Sequence, residues 1–134
     1  MGDWKRIYSG SGGETSVGYC RAIVLPDPHG DWVVVSGTTG FDYAAGVISP
    51  DPAEQCAQTL RNIEKAMAEA GATWEDVYNY RVYVLDAATW QACIPVIARV
   101  IGPRKPATTA VIAPAMDGKI KVEIEVEARK APGK

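Results

Sequence analysis

From Ile120 to Glu127 the chain alternates without a slip. Ile120, Val122, Ile124 and Val126 take one parity; Lys121, Glu123, Glu125 and Glu127 take the other. Successive side chains on a strand point to opposite faces, so this run predicts a strand with one face in a core and three carboxylates on the other. It is the second of two strand-like runs between Arg104 and Ala128, read here as joined by a short turn. Such a strand needs neighbours to pair with and a layer to cover its apolar face.

The covering layer is legible upstream. In "SPDPAEQCAQTLRNIEKAMAEAG" Asp51 is placed to cap a helix, Pro52 suits its first position and Glu54 follows three residues after the cap. Cys56, Leu60, Ile63, Met67 and Ala70 then recur with helical period, and Gly71 is placed to end the helix. Strands are predicted over Tyr19–Leu25 and Asp31–Gly37, forming a hairpin, with an earlier one near Arg6–Tyr8 and a later one over Tyr78–Leu85. Asp86 can cap a second helix, but Pro95 falls inside it. A proline removes a backbone donor and crowds the preceding turn, so the regular helix is expected to begin near Pro95 after an irregular turn around Trp90.

This order predicts a single α+β domain over residues 1–134, a mixed sheet with two helices on one face. The other face carries Val, Tyr and Trp among its charges and is too apolar to stand open, so a second copy of the chain is the expected cover. With net charge −2, no basic field draws nucleic acid or an anionic membrane. No apolar run reaches the ~20 residues a bilayer needs, and "MGDWKRIYSGSGG" lacks the apolar stretch of a secretory signal. Three widely spaced cysteines, Cys20, Cys56 and Cys93, fit free thiols in a reducing compartment, so a cytoplasmic location is expected.

"VVVSGTTG" (Val33–Gly40), "EKAMAEAGATWEDV" (Glu64–Val77), "YRVYVLD" (Tyr80–Asp86) and "PATTAVIAPAMDGKIKVEIEVEA" (Pro106–Ala128), in this order, resemble the Rid/YjgF family of reactive intermediate deaminases over nearly the whole chain. The resemblance implies a chorismate-mutase-like two-layer fold, a homotrimeric barrel and small-molecule clefts between subunits. It implies hydrolysis of a reactive enamine or imine to a carbonyl compound and ammonia, with neither metal nor organic cofactor. Residue by residue it assigns Glu123 to the proton of the attacking water and places Tyr19, Ser36 and Gly37 near the substrate. On chemical grounds the hydroxyls of Thr108 and Thr109 are further candidates to hold a polar substrate. Members with the best-known activity read Pro-Ala-Arg where this chain reads Pro106-Ala107-Thr108, so a guanidinium that grips the substrate carboxylate is absent at that position. Arg21, Arg81, Arg104 and Lys105 are the candidate substitutes.

Plainer readings stand beside these. A row of carboxylates on a strand is commonly a solvated face with cross-strand pairs, here to Lys119, Lys121 or Arg129, and Glu125 and Glu127 are read that way. Tyr19 also suits an interface, Ser36 and Gly37 the end of a strand, and Thr108 and Thr109 ordinary strand positions. The cysteines read as small buried hydrophobes and His29 as a turn residue. "SGSGG" (Ser9–Gly13) lacks the ending of a phosphate loop and reads as a flexible loop. Two further functions compete: a non-catalytic small-molecule-binding trimer, and ribonuclease activity, which the acidic charge disfavours.

Overall fold

The computed structural model describes residues 4–131. The chain forms β1 (Lys5–Ile7), β2 (Ala22–Leu25), β3 (Trp32–Thr38), β4 (Phe41–Asp42), β5 (Val47–Ile48), α1 (Pro52–Glu69), β6 (Val77–Val84), α2 (Ala87–Val100), β7 (Ala107–Ile112) and β8 (Val122–Arg129). Six strands make one mixed sheet in the order β1-β2-β3-β8-β6-β7, while β4 and β5 form a separate small hairpin. Every pairing in the large sheet is antiparallel except β6 with β7.

The alternation in β8 settles its two faces. Val122, Ile124, Val126 and Ala128 are buried, while Glu123, Glu125, Glu127 and Arg129 lie half-buried on the other side. The buried parity meets Cys56, Leu60, Ile63 and Met67 of α1, all 2% exposed or less, in the core between sheet and helices. Asp51 caps α1 by accepting the Glu54 amide at 2.9 Å, with Pro52 in the first turn. Gly71 ends it at φ +82, a backbone region glycine enters without strain. The layout is the expected α+β sandwich of one mixed sheet and two helices.

Two expectations need correction. The runs Ala107–Ile112 and Val122–Arg129 are not sheet neighbours joined by a tight turn; they flank β6. The chain leaves β6, crosses over as α2 and returns parallel as β7, which places β7 on the outer edge; the 113–121 segment then carries it past β6 to β8. The second helix is also longer than expected. It starts at Ala87, capped by Asp86 accepting the Thr89 amide at 2.8 Å, and runs through Pro95. Pro95 deprives the helix of one internal bond, on its exposed side, whereas Thr89, Cys93, Val96 and Ile97 bury the inward stripe. Tertiary packing outweighs the single missing donor.

β7 is the unguarded part of the sheet. All six of its residues are exposed, Val111 at 42% and Ile112 at 63%. Among the described residues no helix is long and apolar enough to cross a membrane.

Candidate functional site

The three glutamates of β8 share a face but not an environment. Glu127 accepts from Tyr78 Oη at 2.8 Å and from Arg81 Nη1 at 2.8 Å. The Tyr78 bond, then Arg81, hold its carboxyl below the ordinary range. Glu125 accepts a short hydrogen bond from the Tyr83 hydroxyl and lies 3.9 Å from Arg81. The partners expected for this row lie elsewhere: Lys121 Nζ donates to the Pro50 carbonyl and Arg129 pairs with Asp27. Glu125 and Glu127 therefore belong to a satisfied structural network.

Glu123 stands apart. Among the described residues no donor reaches its carboxylate, although the group is half-buried. Burial pushes its pKa up, the nearby Arg21 charge pulls the other way, and the Glu125 charge adds to the rise. A carboxylate with a raised pKa and free lone pairs, held on a central strand, can take a proton and return it.

Glu123 opens into a cleft of about 670 Å³, bounded by the Gly10–Gly13 loop, the 37–46 segment and the 116–120 segment. Its apolar lining comes from Tyr19, Phe41, Tyr43, Met116 and Ile120. Gly37 is packed against the glutamate: a Cβ on it would stand 2.2 Å from Glu123 Oε2. Only a residue without a side chain leaves the carboxylate its place.

Beside Glu123, Arg21 lines the cleft as one member of a buried ion pair. Glu14 and Arg21 side chains are 3% and 4% exposed and meet at 3.0 Å. Burial opposes ionisation of Glu14, but the Ser9 hydroxyl and amide and the Arg21 guanidinium outweigh it and hold its carboxyl below the ordinary range. Arg21 also donates to the Gly37 carbonyl at 2.7 Å, Thr38 Oγ1 at 3.2 Å and Ser11 Oγ at 3.3 Å, with Tyr19 Oη at 3.5 Å. It thus ties the glycine-rich loop and Tyr19 to the end of β3, beside Glu123.

Helix α1 fixes the remaining walls. Gln55, fully buried, donates to the carbonyls of Ser49 and Lys119 and accepts the Lys121 amide at 2.9 Å, so it anchors the approach to β8. Asn62 donates to the carbonyls of Thr39 at 2.9 Å and Phe41 at 2.8 Å. Both walls therefore hang from one helix.

Of the positions singled out in the sequence, Glu123, Tyr19 and Gly37 meet in the cleft. Ser36 does not line it; its hydroxyl donates to the Cys20 carbonyl at 2.8 Å. Thr108 and Thr109 sit on β7, separated from β8 by β6, and lie outside this protomer's cleft. Among the candidate cations, Arg21 alone lines the cleft; Arg81 pairs with Glu127 and Arg104 with Glu75. Glu14, Gln55 and Asn62 were not anticipated. The clue available was Glu14 itself, an acidic residue following a glycine-rich loop, seven positions before an arginine.

Residues 14–130 match the pattern of the family described as Endoribonuclease L-PSP. A crystal structure of Rv2704 from Mycobacterium tuberculosis, a member of the YjgF/YER057c/UK114 family, superposes with a TM-score of 0.82 at 38% identity, covering 95% of this chain and 99% of that one. Protein SCO2049 of Streptomyces coelicolor is 31% identical over 92% of this chain and 90% of its own length. The RutC family protein PYRAB12510 of Pyrococcus abyssi is 29% identical over 84% of this chain and 86% of its own. With the family pattern spanning nearly all of the fold, including Tyr19, Gly37 and Glu123 of the cleft, the chain belongs to the Endoribonuclease L-PSP family, the YjgF/Rid group.

Proposed function

We propose that the protein hydrolyses a reactive enamine or imine to a carbonyl compound and ammonia, with Glu123 as general base and then general acid. The observation that carries this reading is the pair of features at Glu123: a carboxylate whose pKa is raised by burial, and one that no donor among the described residues occupies, facing a cleft. Water held against Glu123 gives up a proton as its oxygen adds to the C=N carbon; the same proton returns to nitrogen as the amine departs. Proton transfer of this kind contributes ~10²–10⁴-fold.

The working unit in this reading is a homotrimer. The face of the sheet away from the helices carries Val34 and Tyr78, 38% and 41% exposed, and the edge strand β7 stands bare beside it. A neighbouring copy laid along that face would close the cleft and bring Thr108 and Thr109 toward it. A ribonuclease reading finds little support, since the cleft is lined by carboxylates and its one arginine is already paired.

The test uses imines generated in situ by an oxidase, with carbonyl and ammonia release followed with and without the protein. Acceleration is the expected result. Binding without acceleration of any imine would instead make the protein a small-molecule binder.

A further inference from the structure

The charges of the cleft bear on which imine it accepts. Four charged side chains line it: Arg21, Asp42, Asp117 and Glu123. Arg21 is not free to meet a ligand. Glu14, Gly37, Thr38, Ser11 and Tyr19 supply acceptors for its donors, matching the five N–H groups of a guanidinium. Glu14, as deeply buried, is its ion-pair partner, and the charge that still reaches the cleft acts on Glu123. The lining thus sets three carboxylates, exposed Asp42 and Asp117 and half-buried Glu123, against one cation that is already paired. The edge strand a neighbouring copy would present, Ala107–Ile112, carries no charge either.

Resting on the deaminase reading above, we infer that the substrate is an iminium cation bearing no carboxylate, of the class formed when a primary amine is oxidised. An imine of an amino acid would bring its own carboxylate among Asp42, Asp117 and Glu123, with no unpaired cation among the residues that line the cleft; like charges so placed repel. A bare iminium is attracted by those same groups, and the faces of Tyr19, Phe41 and Tyr43 suit both its charge and an apolar substituent. The reaction is R–CH=NH2⁺ + H2O → R–CHO + NH4⁺. The C–O bond forms as the C=N electron pair moves to nitrogen, and Glu123 carries a proton from water to the departing nitrogen. No oxidation accompanies it.

The experiment compares two imines that differ only in the carboxylate: one released from 2-phenylethylamine by a flavin amine oxidase, the other from phenylalanine by an amino-acid oxidase. After subtraction of spontaneous hydrolysis, we expect kcat/KM to favour the amine-derived imine by at least about tenfold. Asp42→Asn combined with Asp117→Asn should shrink that preference. Equal rates, or a preference for the carboxylated imine, would overturn the inference while leaving Glu123 as the acid–base group. Acceleration of neither would overturn both readings.

Discussion

Gly37 and Glu123, on adjacent strands, touch so closely that a single added carbon on the glycine would overlap the carboxylate at 2.2 Å. The clash is with the end of a flexible side chain, which can swing away. Gly37→Ala should therefore fold nearly as well as the native chain yet lose activity by about 10²-fold, because displacement of a catalytic group by about an ångström suffices for such a loss. Thermal melting beside turnover checks both halves. Full activity in the alanine variant would mean that the position of the carboxylate is immaterial.

The Glu14–Arg21 pair should be a structural necessity. Removing one member leaves the other buried and uncompensated, which costs about 3–5 kcal/mol. Glu14→Gln is thus expected to be strongly destabilised at neutral pH. Glu14 has a folded pKa below its ordinary value of 4.5, so its contribution is complete above that pH and fades as pH falls through the lowered value. Denaturant titrations of both proteins should show a wide gap at pH 7 that narrows on acidification. A gap constant with pH would contradict the ion-pair assignment.

Much of this was readable in the residues. The strict alternation of Val122–Glu127 put Glu123 on the open face, and Asp51, Pro52 and Gly71 bounded α1, because capping and periodicity are local properties. What escaped was non-local. Nothing near Gln55 announces that it holds Lys119 and Lys121, 64 and 66 residues away, nor that Asn62 holds Thr39 and Phe41. The unusual turn Glu14–Gly18, which brings Glu14 under Arg21, has no simple sequence signature. Pro95 misled in a different way: a local rule predicted a helix start where packing of Cys93, Val96 and Ile97 prevailed.

That proline gives its own prediction. Pro95 is exposed within α2 and blocks one internal hydrogen bond. Replacing it with Ala should raise stability by about 1–3 kcal/mol, the difference between proline and alanine in a helix interior. An unchanged denaturation midpoint would indicate that the helix has fully adapted to the ring.

The bare edge of the sheet bears on assembly. Val111 on β7 is 42% exposed in the single chain, and a charge there should oppose burial against a second copy. Val111→Asp is expected to sediment as a monomer and to lose deamination, while keeping the fold of the protomer. An oligomer of undiminished size would exclude β7 from the interface.

The most direct measurement is ammonia release as a function of pH, for the native protein and for Glu123→Gln, with both confirmed in the same oligomeric state. Burial raises the Glu123 pKa above 4.5, and the ionised form is the one that accepts the proton of water. The native rate should therefore climb with pH through an inflection above the ordinary carboxylate value, and the glutamine variant should show neither the rate nor the inflection. Native-like turnover by Glu123→Gln with an unaltered pH profile would contradict the role of this carboxylate.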